Sequence, residues 1–208
     1  MGTPFTLRVP PSWWEFDVWR ATRTGDLARH VDARIAEQPR LRRHRGPLLR
    51  ALRQAAADAE HQGALTCAVM GELVDGDALA AVLMAVQTHG GPNPEGNTPA
   101  AIAGQLTATG KQPGSPYWRN VTLVELPAGP AVRIKGVEAV TSGTRTLDCL
   151  VMHTLTPFPD GEGLLDIVLT SPQTHLAEPM FDLFDAISAT LAWSYDNALT
   201  TTLSPKGT

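Results

Sequence analysis

The chain changes its hydrophobic period several times, and each change marks an element. Phe5 to Val9 and Trp14 to Trp19 are rich in β-branched and aromatic residues on either side of Pro10-Pro11-Ser12, which predicts two strands paired as an N-terminal hairpin. Alternation sets Trp14, Phe16 and Val18 on one face and Trp13, Glu15, Asp17 and Trp19 on the other. After Thr24, a candidate cap, Leu27, Val31 and Ile35 recur at helical spacing and predict a helix that ends before Pro39. A second helix is expected from near Pro47, with Leu48, Leu52, Ala55 and Ala59 as its inner stripe and Gly63 as its stop.

Beyond Gly63 the period falls to about 2. Ala64 to Leu73 and Ala78 to Thr88 read as strands joined through Val74-Asp75-Gly76-Asp77, where Asp-Gly marks a hairpin turn. A loop from His89 to Asn97 leads to Thr98-Pro99, a capping hydroxyl followed by a proline suited to the first helical turn, and that helix should reach about Thr109. Trp118 to Leu126, Ala131 to Val140, Thr146 to Thr156 and Leu164 to Thr170 then predict a four-strand meander, with breaks at Pro127 to Pro130, Ser142-Gly143 and Pro159 to Gly163. Met180, Phe184, Ile187 and Leu191 mark a closing helix over roughly Leu176 to Trp193, and Thr200 to Thr208 reads as a frayed tail. Runs of strands with segregated helices argue for an α+β fold: an antiparallel sheet of about six strands, the N-terminal hairpin, and helices packed on the sheet. One domain is expected over residues 1–198, with 199–208 as its tail.

Composition agrees with a folded protein. With 208 residues the chain can bury roughly 70% of its unfolded surface, and 43% hydrophobic against 18% charged residues lies far from the disordered class. The N-terminal MGTPFTLRVPPSWW has no cationic stretch or sustained apolar run, so no secretory signal is expected, and no run is long enough to span a membrane. A cytoplasmic location is the expectation. Two cysteines, Cys67 and Cys149, sit in apolar strand-like runs and read as small buried hydrophobes.

Charge is distributed unevenly. Residues 1–53 hold eleven arginines and five acids, a net of +6, so the remainder carries −10 of the overall −4. Arg40, Arg42, Arg43, Arg45, Arg50 and Arg53 crowd around Gly46-Pro47. Guanidiniums keep their charge and suit phosphates, carboxylates or an acidic partner surface. The competing reading is a solvated face paired with Asp26, Asp32, Glu37 and Asp58. Nucleic acid is disfavoured, because the sequence pI is near 5.8 and the patch contains no aromatic stacking platform.

Catalytic patterns are absent from the sequence. Gly104 to Lys111, GQLTATGK, has five residues between its glycines and no hydroxyl after the lysine, so it fails as a phosphate loop, and Gly110 reads as a helix C-cap. The histidines at 30, 44, 61, 89, 153 and 175 lack metal-ligand spacing, and no metal or cofactor is expected. Ser171 lies at a strand-to-helix turn, but Pro172 removes the N–H an oxyanion hole needs. Cys149 and His153 are four apart along a strand, about 13 Å, beyond hydrogen-bond reach. The acidic pairs Glu15/Asp17, Asp75/Asp77, Asp160/Glu162 and Asp182/Asp185 read as solvated surface.

Three parts of the chain carry a resemblance: PFTLRVPPSWWEFDVWR, the central strand pairs, and LLDIVLTSPQTHLAEPMFDLFDAISATLAW. Over nearly its whole length the chain resembles a set of actinobacterial proteins. In element order it is similar to the PsbP-like fold, found also in LpqN-type lipoproteins and EagR-type secretion chaperones. A two-helix insertion, residues 24–62, departs from that layout. The resemblance implies a non-enzymatic role in binding another protein, as an accessory, chaperone or immunity-type factor linked to secretion or to a toxin.

Trp13 and Trp19 are the second candidate surface. If only one face of their strand is core, they are either an exposed protein contact or are packed beneath the inserted helices. The alternative function is a small-ligand site or enzyme on the concave sheet face, drawing on His153, Arg133, Tyr117 and Asp166.

Overall fold

In the computed structural model the described residues are 4–19, 23–74, 77–88, 94–109, 119–142, 144–161 and 163–194. The strands are β1 (Phe5–Thr6), β2 (Trp13–Phe16), β3 (Ala64–Val74), β4 (Asp77–Thr88), β5 (Arg119–Leu126), β6 (Gly129–Ser142), β7 (Arg145–Pro157), β8 (Leu164–Ser171) and β9 (Ala192–Trp193). The helices are α1 (Arg23–Glu37), α2 (Arg45–His61), α3 (Pro99–Thr109) and α4 (Ala177–Ser188), with a 3-10 turn over Pro39–His44 between α1 and α2. The fold is α+β, as the sequence predicts.

Seven strands form one antiparallel sheet in the order β2-β3-β4-β8-β7-β6-β5. The meander β5 to β8 is continuous, and β8 docks against β4, with Val82 opposite Thr170 and Thr88 opposite Leu164. β3 and β4 pair as far as Val74 opposite Asp77, and the predicted Asp75-Gly76 turn lies outside the described residues. So do Gly110, Gly143 and the 199–208 tail.

The N-terminal strands correct the expected hairpin. β2 pairs with β3, with Trp14 opposite Val69, and extends the sheet to seven strands. β1 instead pairs with β9, Phe5 opposite Trp193, and Ser194 N donates to Pro4 O at 2.8 Å. Pro10 and Pro11 separate the two strands without folding them onto each other, because each finds a longer-range partner. β9 also shortens the closing helix, which ends at Ser188 and not near Trp193. Side-chain hydroxyls compete with the helical ladder there. Ser188 Oγ donates to Phe184 O (2.8 Å), and Thr190 Oγ1 donates to Ile187 O (2.7 Å) while accepting from Arg8 N (2.8 Å).

Both faces of the sheet are buried over its central strands. One face carries Trp13, Met70, Leu83, Met152, Ile167 and Leu169 under Met180, Phe181, Phe184 and Ile187 of α4, with Phe5 and Trp193 at the margin. The other carries Trp14, Phe16, Cys67, Val69 and Met84 under Leu27, Val31 and Ile35 of α1 and Leu49, Leu52, Ala55, Ala56 and Ala59 of α2. Leu48, assigned to the α2 stripe from sequence, is half-buried, and Leu49 takes the deeper place. α2 stops at Gly63, whose φ of +70° is favourable only for glycine. Val132, Ile134 and Val151, on the face away from α4, are buried too, and α3 lies along β5, β6 and β7. Thr98 Oγ1 accepts from Ala101 N at 3.3 Å and caps α3 as predicted. Among the described residues no helix is long and apolar enough to cross a membrane.

Phe184 is fully buried at the centre of the α4 contact, edge-on to Phe181 at 6.3 Å. Phe184→Ala is expected to cost about 3–5 kcal/mol in urea unfolding, the range for truncating a core phenylalanine. A loss under about 1 kcal/mol would show that α4 does not close the core.

Candidate functional site

The six arginines of the candidate patch are exposed on the 3-10 turn and α2. Arg50 stands opposite the buried stripe of α2 and Arg53, one turn on, at its margin, and the Arg50 guanidinium folds back toward Gly46. Part of the expected neutralisation occurs. Arg45 holds Asp32 through two bonds, Nε to Oδ1 at 2.6 Å and Nη2 to Oδ2 at 2.8 Å, and this hydrogen bonding keeps Asp32 below the usual carboxylate range. Asp26 pairs with Arg29, Glu37 with Arg34, and Asp58 accepts from Gln54. Arg43 donates to His44 Nε2 at 2.9 Å. Among the described residues, Arg40, Arg42, Arg50 and Arg53 have no acidic partner.

Arg40, Arg42, Arg43 and Arg45 lie at or just before the start of α2, whose first turn holds no acid and whose N-cap, His44, makes no side-chain cap bond, while Arg50 and Arg53 follow in its second and third turns. The positive end of a helix dipole disfavours cations by a few tenths of a kcal/mol each. Nothing in the packing of the fold calls for arginine at these positions.

The tryptophans separate. Trp13 is 5% exposed and belongs to the α4 core, so it cannot be a surface contact; a sheet covered on both faces buries both sides of β2. Trp19 is 57% exposed, yet its Nε1 donates to Ala64 O at 2.9 Å, tying the segment after β2 to the start of β3.

The four residues of the alternative site are not brought together. His153 on β7 and Asp166 on β8 meet, Nδ1 to Oδ2 at 2.9 Å. They lie on the face away from α4, as does the Arg119–Glu138 pair at 2.6 Å. Arg133 points to the opposite face, since it pairs in register with buried Thr154 while His153 pairs with Ile134. Tyr117 lies outside the described residues. Burial disfavours a charged His153, but the hydrogen bond and charge of Asp166, aided by Glu138, outweigh burial and Arg119 and hold its pKa above the usual value.

Arg133 belongs to a cluster that the sequence reading missed. It is 7% exposed under α4, with Nη2 donating to Ser188 Oγ at 2.8 Å and Nη1 2.7 Å from Asp185 Oδ1. Lys135 reaches the other Asp185 oxygen at 2.6 Å and lies 5.4 Å from the Phe181 ring centre. Burial draws the Arg133 guanidinium below its usual range, and Asp185 opposes that shift. Asp185 is therefore an anchor of α4 to β6, not the solvated acid expected from sequence. Arg133 and Lys135, two apart on one strand, were the available signal of a shared face.

The remaining nucleophiles are quiet. Burial pushes the Cys67 thiol up to about 12 and also raises Cys149, with Asp148 adding to the shift. A protonated thiol is a poor nucleophile. Ser171 is buried and donates to Gln173 Oε1 at 2.7 Å while accepting from Gln173 N, the turn role expected of it. Among the described residues no three His, Cys, Asp or Glu side chains could hold a metal. Two open depressions, of about 440 and 510 Å³, lie elsewhere: one is lined by Glu15, Asp17, Asp26, Arg29 and His30, the other by Phe5, Leu7, Leu65, Gln87 and Phe158.

No family model matches the chain, and no curated protein does. Among solved structures it is similar to LpqN of Mycobacterium tuberculosis, a protein involved in cell envelope biogenesis. The identity is 12%, over 93% of this chain and 86% of that one, with a TM-score of 0.45. That is a distant likeness of fold. The functional reading therefore rests on this chain's own side chains.

Because the folded-state pKa of His153 is raised, its pairing with Asp166 stabilises the fold fully below the unfolded value of about 6.5 and is lost as pH rises through the folded value. The stability advantage of the wild type over His153→Ala should shrink from about pH 5 to about pH 9 in urea unfolding. An advantage that grows with pH would contradict the pairing.

Proposed function

We propose that this is a non-enzymatic protein that binds the acidic surface of another protein through the 3-10 turn and α2. The observation that carries the reading is the set of four exposed arginines, Arg40, Arg42, Arg50 and Arg53, left without acidic partners on the 3-10 turn and the first half of α2. Arginines are strong contributors at protein interfaces, and a concentrated positive field speeds encounter with an acidic partner. Arg45 is held by Asp32 and frames the patch. Trp19, exposed beyond its bond to Ala64, offers an aromatic surface of its own. The corresponding biological role is that of an accessory, chaperone or immunity-type factor, linked to a secretion or toxin system.

A small-ligand reading has one observation in its favour, the His153–Asp166 pair. Against it, Arg133 is committed to the other face and to Asp185, and neither depression described above includes the pair. Neither lining is the apolar pocket with a few convergent polar groups that a small-ligand site presents.

The test begins with affinity capture from native lysate and identification of any stoichiometric protein retained. Its affinity is then measured for the wild type and for an Arg40, Arg42, Arg50 and Arg53 to Ala variant. Removing four charges is expected to weaken binding by about tenfold or more and to flatten its salt dependence. Stability should change by no more than about 0.5 kcal/mol per site, since the side chains are exposed. Equal affinity for both proteins, or no retained partner, would remove the case for the patch.

A further inference from the structure

The sheet has two edges, and they are built differently. β2 is four residues long and follows Pro10-Pro11, with Trp19 bonded to Ala64 beside its end. β5 is eight residues long, runs in unbroken register with β6, and contains neither proline, lysine nor a bulge. Among the described residues no strand pairs with its outer side. Natural sheets blunt their edges with such devices, because an open row of amides is a template for another strand. Between Arg119 and Glu125 this edge is uncharged, and Leu123 is 57% exposed.

The phase of the open amides follows from the β5–β6 turn. Leu126 pairs with Gly129 across the two residues Pro127-Ala128. The pair that closes a two-residue turn exchanges hydrogen bonds, so Leu126, Val124, Thr122 and Asn120 bond to β6. Pro130, with no N–H to give, stands opposite Glu125 at an alternate, non-bonded position, which agrees. Arg119, Val121, Leu123 and Glu125 therefore turn their N–H and C=O groups outward.

We propose that β5 pairs antiparallel with β5 of a second copy of this chain, about a twofold axis through Thr122, joining the two sheets into one. In this register every outward amide meets an outward amide. Val121 faces Leu123 of the second copy, and Arg119 faces its Glu125. Shifting the axis to Leu123 would set Val121 against Glu125 and leave Arg119 without its carboxylate. Glu125 is exposed and has no ion-pair partner among the described residues. Arg119 holds Glu138 at 2.6 Å, and its five N–H donors leave capacity for a second carboxylate. A twofold interface must be self-complementary, and a strand that opens on a cation and closes on an anion around an apolar centre meets that condition.

The full chain should sediment at twice its 22.3 kDa at micromolar concentration and above. Leu123→Pro removes an outward N–H and leaves the β6 ladder intact, so it should give a monomer with an unchanged far-ultraviolet circular dichroism spectrum. Thr122→Cys places two thiols across the axis in a non-hydrogen-bonded pair, with Cβ atoms about 4.5–5.5 Å apart. It should form a disulfide-linked dimer on mild oxidation, whereas Asn120→Cys should not, and the native Cys67 and Cys149 are buried. A monomer throughout that range, as expected if the edge awaits a foreign strand, overturns the proposal. So does a dimer that survives Leu123→Pro, or a Thr122→Cys protein that does not cross-link.

Discussion

An antiparallel sheet that is apolar on both faces must be covered on both, and most of this architecture follows from that requirement. β8, at the centre of the sheet, has Leu165, Ile167 and Leu169 under α4 and Leu164 buried on the other side. α4 together with the β1–β9 ribbon dries one face. α1 and α2 dry the other over β2, β3 and β4, with α3 lying along β5 to β7. The helices at residues 24–62, which look like an insertion when element order alone is compared, are thus half of the cover. Leu27, Val31 and Leu52 are among the least exposed side chains of the molecule. At about 25 cal/mol for each Å² of apolar surface removed from water, stripping that layer would expose a whole hydrophobic face.

The same requirement explains where sequence reasoning succeeded and where it stopped. Periodicity reports burial and local geometry, so the four helices and the strands from Ala64 to Ser171 were legible to within a few residues. Pairing across long sequence separations was not. Nothing in Phe5-Thr6 names Ala192-Trp193 as its partner, and a proline between two strand-like runs is equally consistent with a hairpin and with a crossing. Trp13 was misplaced for a related reason: alternation assigned it to the face opposite Trp14, but could not show that this face too is core. The His153–Asp166 contact depended on register. Given the β7–β8 turn, His153 stands opposite Val168, and Asp166 is the diagonal neighbour, a relation visible only once the hairpin is counted from its closure at Pro157 and Leu164.

Charge shows how the chain separates structural from available ionic groups. Arg133, Lys135 and Asp185 form a partly dry cluster that fixes α4 over β6, and Ser188 serves it twice, accepting from Arg133 and donating back to Phe184. A buried guanidinium left without its carboxylate would carry a penalty of several kcal/mol, so this cluster belongs to the fold and is closed to a ligand. Arg34 is tied to Glu37 and Glu72, linking α1 to β3. Arg45 and Asp32 link α2 to α1 in the same way. Each tie joins elements that the hydrophobic layers have already brought together.

The arginines outside those ties are distinguished by what they lack. Arg40, Arg42, Arg50 and Arg53 make no ion pair that joins two elements, are exposed, and repel one another along the 3-10 turn and α2. Exposed ion pairs contribute at most about 1 kcal/mol, so the fold gains little from any local acid and loses little without one. Stability therefore gains nothing from cations at these positions and loses at most a few tenths of a kcal/mol to each. The positive field is concentrated on one helical layer of a chain whose net charge is −4. The proposed docking of an acidic partner draws on that field, which folding itself does not require.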